Sequence, residues 1–481
     1  MHGETGMSEI EDRLNELERR GLSRRLRLVS GPQGPTVLLD GQPVLLLCSN
    51  NYLGLADHPQ VREAAADAAM RWGVGAGASR LISGTMTIHR RLEERLAEFT
   101  GRQSSLLFGS GYLANLGVIG ALAGPGDTVF SDELNHASIV DGCRLSRAEV
   151  IVYKHCDPEH LLWSMRRHSG RRDGQERRLI VTDSIFSMDG DIAPLQELIE
   201  LAQAAGARIA VDEAHALGTF GPGGRGALAQ AGLEGEVDAI VGTLGKSLGS
   251  YGAYVCGDEE MIRYMLNTAR SFIFSTAPPP PAVAGALAAL ELIEQKPHRV
   301  ERLAANARAL RRSLATEGFE VAESDMHIVP LVLGDERDTM RLCQAAIEQG
   351  VFAQAIRPPT VAPGSSRLRL AAMASHTASD MRMAASVLAK AARKLGLDPG
   401  EIGTPQPALE AEPLDVPEVA PDRDEAERRQ FVASAAGPAP AAPFDAEQPR
   451  PRRPPAPPTA SSANANAPFD GEREGAVAHA A

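Results

Sequence analysis

Between Leu45 and Thr276, short apolar runs alternate with longer helix-periodic stretches, and this alternation narrows the possible folds more than any other feature of the 481-residue chain. The runs expected as strands are Ser105–Phe108, Thr128–Ser131, Val150–Tyr153, Leu179–Thr182, Arg208–Val211, Ala239–Gly242 and Gly252–Val255. Strands such as Ile180-Val181 and Ile209-Ala210-Val211 show no polar alternation, so both faces of the sheet are expected to be covered. That is the pattern of an α/β fold with a mostly parallel sheet flanked by helices. In such sheets the working polar residues collect beyond the carboxyl ends of the strands.

The flanks are read from periodicity and composition. Ile10, Leu14, Leu17 and Leu22 predict an amphipathic helix over Glu9–Arg27, and Val37–Asp40 predicts a strand, so residues 1–44 read as an arm. Residues 45–276 then form a large domain. Residues 277–395 form a smaller C-terminal α/β domain, with a helix over Ala282–Glu294 and strands near His327–Leu333 and Arg367–Leu370. In residues 396–481 the composition changes: 15 of the 33 prolines lie between Pro405 and Pro468. Such a Pro/Ala-rich segment cannot bury enough apolar surface to offset chain entropy and is expected to be disordered.

Charge and cysteine usage exclude several function classes. Lys and Arg total 49 against 62 Asp and Glu, a net charge of −13, which offers no attraction to nucleic acid or to an anionic membrane surface. Cys48, Cys143, Cys156, Cys256 and Cys343 are scattered singly, which suits free thiols in a reducing cytoplasm. The acidic start, with Glu4, Glu9, Glu11 and Asp12, does not read as a secretion signal, and no apolar stretch is long enough to span a bilayer.

Two strand ends carry the chemistry. Arg208-Ile-Ala-Val-Asp212 delivers a carboxylate to the sheet edge, with His215 three residues later. Ala239-Ile-Val-Gly-Thr243 runs into Leu244-Gly245-Lys246, which places one lysine beyond a buried strand. A lone lysine there is usually a solvated charge and a lone strand-end aspartate usually a helix cap. Together, and in this order, they suggest pyridoxal 5′-phosphate: a desolvated amine forms a Schiff base, and a carboxylate keeps the pyridine nitrogen protonated. Ser110-Gly111-Tyr112 opens a helix after a strand and offers free N–H groups to a phosphate. His136, after another strand, can lay its ring over a flat cofactor. A nucleotide-binding P-loop is disfavoured because Ile240 stands where that motif needs glycine. The Asp189-Gly190-Asp191 turn lacks the remaining ligands of a calcium loop, so its aspartates read as turn and cap residues.

Longer strings add a resemblance. Asn50-Asn-Tyr-Leu-Gly-Leu55, Gly75-Ala-Gly-Ala-Ser-Arg-Leu81 with Ser83-Gly84 and His89, Asn135-His-Ala-Ser138, Phe186-Ser-Met-Asp-Gly-Asp191, Val211-Asp-Glu-Ala-His215 and Thr243-Leu-Gly-Lys246 occur in order. In these the chain, from about Gly21 to Leu395, resembles the α-oxoamine synthases, fold-type I pyridoxal-phosphate enzymes that condense an amino acid with an acyl thioester and release carbon dioxide. The resemblance implies that Lys246, Asp212 and His136 are catalytic. It implies that Gly111, Tyr112, His136, Ser187, Asp212, His215, Thr243 and Lys246 bind the cofactor, joined by Ser275 and Thr276 from the neighbouring subunit of a homodimer. Asn50, Arg369, Thr360 and Arg24 match substrate-binding positions, and no metal is implied.

Arg357-Pro-Pro-Thr360-Val-Ala-Pro-Gly364, Arg367-Leu-Arg369-Leu and Arg270-Ser-Phe-Ile-Phe-Ser-Thr-Ala277 look most like the branch of the family that serves biotin synthesis. The substrates implied are L-alanine and a pimeloyl thioester, carried by coenzyme A or by a carrier protein. The alternatives are another activity of the same family, such as glycine C-acetyltransferase, or a noncatalytic binding subunit with this fold.

Overall fold

The computed structural model describes residues 4–168 and 177–404. Its centre is a seven-stranded sheet: β1 (Ser104–Phe108), β2 (Thr128–Asp132), β3 (Glu149–Tyr153), β4 (Arg178–Asp183), β5 (Arg208–Asp212), β6 (Ala239–Thr243) and β7 (Ala253–Gly257). The spatial order is β3-β2-β4-β5-β6-β7-β1, and β7 alone runs antiparallel to its neighbours. All seven expected strands are present, within two residues of the expected bounds.

Both faces of this sheet are buried, for the reason visible in the sequence. Successive side chains of a strand point to opposite faces. Leu106 and Phe108, Leu179 and Val181, Ala210, Val241 and Val255 pack into one apolar core. Leu107, Ile180, Ile209, Val211, Ile240 and Tyr254 pack into a second, larger core on the other side. Helix Gly111–Leu122 covers the first face, and helix Pro280–Gln295 contributes to the second.

Register then sets the working edge. Asp183 lies opposite Asp212, and Asp212 opposite Val241. Ala253 lies opposite both Thr243 and Phe108. The loops that follow β1, β4, β5 and β6 therefore leave one edge of the sheet side by side.

A third core holds the C-terminal part of the chain. Strands Ile328–Gly334, Ser366–Ala371 and Gln354–Ile356 form an antiparallel sheet, packed with helices His298–Thr316, Glu336–Glu348 and Ala378–Lys394. Strands Thr36–Leu39 and Gln42–Leu46 join this core, and Leu45 and Leu46 pair with Val351 and Phe352. The first helix differs from expectation: it spans Glu4–Arg19 rather than reaching Arg27. Gly21 at φ 65° closes it, with Leu22 N–H donating to Leu17 O and Gly21 N–H to Glu18 O. The sequence pattern continued through a turn that only the glycine reveals.

Residues 405–481, most of the expected tail, lie outside the described residues; residues 403–404 pair with Glu320 and Val321. Among the described residues no helix is long and apolar enough to cross a membrane.

The loop after β6 depends on one glycine. Gly249 adopts φ 60°, and a Cβ there would lie 2.4 Å from the backbone nitrogen of Ala56. The Lys246 turn thus presses directly on the segment that carries Asn50 and Tyr52. Gly249→Ala is expected to cost about 1–3 kcal/mol and lower the melting temperature in thermal denaturation, because neither backbone can yield.

Candidate active site

Lys246 sits immediately beyond β6, and its Nζ lies 2.7 Å from Nε2 of the buried His215. Burial pulls the Lys246 amine down from its ordinary value to about 8, against the Asp212 and Asp183 carboxylates, which favour the charge, and aided by Arg369. Desolvation, then the Lys246 and Arg369 cations, drive His215 well below the usual imidazole range, so it stands neutral.

The tautomer of His215 follows from hydrogen-bond accounting. The Tyr52 hydroxyl donates its single proton to Asn50 Oδ1 at 2.9 Å and accepts from Arg369 Nη2 at 3.0 Å. Its remaining contact, 2.7 Å to His215 Nδ1, must then be accepted from an Nδ1–H. Nε2 is left as the acceptor facing Lys246.

Arg369 is buried, and its guanidinium meets only neutral acceptors: Asn50 Oδ1 at 3.2 Å, Tyr52 Oη, and the Ser187 carbonyl. No carboxylate lies within ion-pair distance of it among the described residues. A buried cation without a counter-charge is costly to maintain and is suited to an incoming carboxylate.

On the other side of Lys246, Asp212 accepts from Ala214 N–H at 2.8 Å and from Asn115 Nδ2 at 2.7 Å. Its neighbour Asp183 is pushed well above the usual carboxylate range by burial and by Asp212. His136 caps helix Ala137–Ser146, and its backbone N–H donates to Asp183 Oδ2 at 2.8 Å.

Gly111 and Tyr112 open helix Gly111–Leu122, where their N–H groups find no acceptor within the helix, and a Cβ on Gly111 would meet nothing within 4 Å. Thr243 Oγ1 accepts from Gly245 N–H at 3.1 Å and donates to Gly252 O at 3.2 Å. The structure thus links Lys246, His215, Tyr52, Asn50, Arg369 and the Ser187 backbone by hydrogen bonds, with the Asp212 charge acting on the Lys246 amine and Thr243 three residues before the lysine.

Arg24 and Thr360, far apart in sequence, meet elsewhere. Arg24 Nη2 donates to Pro358 O at 3.3 Å, Thr360 N–H donates to Arg357 O at 3.1 Å, and Arg357 in turn binds the carbonyls of Gly21 and Ser23. Among the described residues, neither Ser275 nor Thr276 hydrogen-bonds to the Lys246 cluster; Ser275 N–H donates to Phe272 O. Thr276 bridges to Ser79, and Ala277 N–H donates to Ala78 O.

The aspartates read from sequence as turn and cap residues do lie in a turn, closed by Gly190 N–H to Phe186 O and Phe186 N–H to Asp191 O, and each is also an ion-pair partner. Asp189 pairs with Arg367, and Asp191 Oδ2 lies 2.6 Å from His155 Nε2. His155 Nδ1 lies 2.9 Å from Asp132. Burial opposes its charge, yet these two carboxylates push the imidazolium up to about 12. Asp132, His155 and Cys156 lie close enough to share a metal ion, but both ring nitrogens of His155 are already held by carboxylates.

Sequence reading singled out neither Tyr52 nor Asn115. Tyr52 stands two residues after Asn50, and Asn115 one helical turn after Gly111, so spacing from a nominated residue was the available signal.

Comparison with known proteins decides the family. Residues 42–388 match the model of aminotransferase class I and II. An 8-amino-7-oxononanoate synthase of Geobacter metallireducens is 49% identical over 388 residues, covering 80% of this chain and 98% of the relative. One from Anaeromyxobacter dehalogenans (strain 2CP-1) is 52% identical over 368 residues, covering 76% and 91%. The chain belongs to the α-oxoamine synthase family. A solved serine palmitoyltransferase of S. paucimobilis with bound PLP superposes with a TM-score of 0.76 at 32% identity, covering 82% of this chain and 98% of that one.

This α-oxoamine synthase fold is the fold-type I architecture, and its enzymes depend on pyridoxal phosphate. The residues present fit that cofactor. There is open space before free N–H groups at Gly111, a desolvated amine at Lys246, and a buried carboxylate at Asp212 whose two bonded oxygens retain further lone pairs.

With an amine pKa near 8, Lys246 gains nucleophilicity as pH rises through 8 rather than through 10.5. The rate of cofactor capture by the cofactor-free protein is expected to climb over that window. In Asp212→Asn, which removes the negative charge that favours the ammonium, the midpoint should fall; a midpoint near the ordinary lysine value would contradict the assignment.

Proposed function

We propose that this α-oxoamine synthase condenses L-alanine with a pimeloyl thioester, releasing carbon dioxide, the free carrier thiol and 8-amino-7-oxononanoate, the step that serves biotin synthesis. The observation that carries an amino-acid substrate is Arg369, a buried guanidinium aligned by Asn50 and Tyr52 with no carboxylate of its own. Identity of 49% to a named 8-amino-7-oxononanoate synthase over nearly all of that relative supports the pimeloyl choice.

In this reading Gly111, Tyr112 and Thr243 would hold the cofactor phosphate, Asp212 would take the ring nitrogen, and His136 would lie over the ring. Ser187 and His215 would attend the ring hydroxyl, and Lys246 would hold the aldehyde. Ser275 and Thr276 serve the phosphate of the second subunit in a homodimer. When bound, pyridoxal phosphate supplies an electron sink for charge that develops at the Cα of the amino acid.

The chain's own groups do the rest. Arg369 and Asn50 fix the alanine carboxylate, which orients the Cα–H bond. Lys246 Nζ, kept out of water and bonded to the acceptor Nε2 of a neutral His215, is the base that takes the Cα proton and later returns one. Arg24 and Thr360, held together by the 357–360 loop, receive the acyl donor, whether its carrier is coenzyme A or a protein. Five unpaired cysteines accord with a cytoplasmic location.

The deciding experiment offers the holoenzyme alanine with pimeloyl-CoA in parallel with glycine plus acetyl-CoA and serine plus palmitoyl-CoA, and identifies products by mass spectrometry. Preference for either of the latter pairs would sink the substrate assignment. Arg369→Lys, which loses the planar fork, is expected to raise KM for alanine about 10- to 100-fold while the KM for the acyl donor changes little.

A further inference from the structure

A hydrogen-bond chain connects the two groups of the site that flank Lys246 on its acidic side. Asn115 is buried inside helix Gly111–Leu122, and its amide nitrogen donates both hydrogens: one to Asp212 Oδ2 at 2.7 Å, the other to Ser138 Oγ at 2.9 Å. Ser138 is fully buried, and its hydroxyl lies 2.7 Å from Nδ1 of His136. The backbone N–H of Ser138 also points at that nitrogen, at 3.2 Å.

The direction of every proton follows. A backbone N–H can only donate, so Nδ1 of His136 must present a lone pair. The Ser138 hydroxyl, filled from behind by the Asn115 amide, then gives its own proton to the same lone pair. Asp212, being a carboxylate, accepts and fixes which way the Asn115 amide faces. His136 is left with its hydrogen on Nε2, a nitrogen that meets no hydrogen-bond partner among the described residues.

We propose that Asn115 is a positioning residue that sets two groups at once: it orients the Asp212 carboxylate and, by turning the Ser138 hydroxyl proton onto Nδ1, reinforces the neutral Nε2–H tautomer of His136 that the Ser138 backbone N–H imposes. Its meaning for catalysis rests on the proposed function; the protonation pattern itself does not. Desolvation, which also lowers the His136 pKa, favours the same neutral ring.

The pattern is read in cofactor-free protein by 15N NMR of histidine-labelled material, with His136→Gln used to assign the signals. The expected wild-type spectrum shows an unprotonated Nδ1 and a protonated Nε2 at His136. Asn115→Asp keeps the shape but replaces the donor with an acceptor, which draws the Ser138 proton away from the ring; Nδ1, still facing the Ser138 backbone N–H, is expected to stay unprotonated but to lose its hydroxyl bond, so that its 15N signal moves downfield. Ser138→Ala, which removes the same hydroxyl bond, should move the Nδ1 signal in the same direction while leaving the backbone N–H bond in place.

Dissociation constants for pyridoxal phosphate, measured by fluorescence quenching, should rise about 10- to 100-fold in Asn115→Ala, which leaves Asp212 short of one charge-assisted bond. A protonated Nδ1 in the wild type overturns the proposal. So does an Asn115→Asp protein that folds with the His136 signals unchanged. Should Asn115→Asp not fold, unchanged His136 signals in Ser138→Ala overturn it equally. If the expected spectra appear but alanine and pimeloyl-CoA give no product, the substrate reading fails and the positioning role stands.

Discussion

The site depends on keeping one lysine amine out of water while surrounding it with groups of opposed sign. At Lys246 burial disfavours the ammonium, Asp212 and Asp183 favour it, and Arg369 disfavours it again; the balance near 8 leaves part of the amine unprotonated near neutral pH. The neutral His215 on its near side accepts a hydrogen bond without adding charge. Had that imidazole been protonated, the cation beside Lys246 would have pushed its amine lower still and removed the acceptor.

That balance requires elements from both ends of the chain. The central sheet supplies Asp183, Asp212 and Lys246 at adjacent strand ends, and Asn50 and Tyr52 come from the segment pressed beneath Gly249. Arg369 arrives from the C-terminal sheet, tied by its Nε to the Ser187 carbonyl. The Ser187–Asp191 loop is the junction. One side of it is anchored by Arg367 and Arg369, the other by His155, whose charge is locked between Asp132 and Asp191. The placing of Arg369 therefore depends on an ion-pair cluster distant from it in sequence.

Much of this was legible in the residues alone. Unbroken apolar runs announced strands buried on both faces, and a polar residue at the end of each run marked the edge where Asp212 and Lys246 stand. Pattern reading failed where local periodicity outlived the element, as at the first helix, which Gly21 ends early. It failed again where a residue's partner lies elsewhere in the chain. Asp189 and Asp191 do lie in the expected turn, but the Arg367 and His155 that pair with them, like the Arg357 loop that brings Arg24 near Thr360, come from distant parts of the chain.

The sequence by itself determined the α/β class, the sheet edge that carries the chemistry, and the types of group delivered there, because two-sided burial and strand period are local properties of residue order. Which of those groups carry charge, which ring nitrogens hold a proton, and which cation is left without a counter-ion were decided only by tertiary structure. Those properties depend on desolvation and on donors and acceptors within about 3 Å, and residues such as Asn115 and Asp212, or Tyr52 and His215, reach that distance only once the chain has folded.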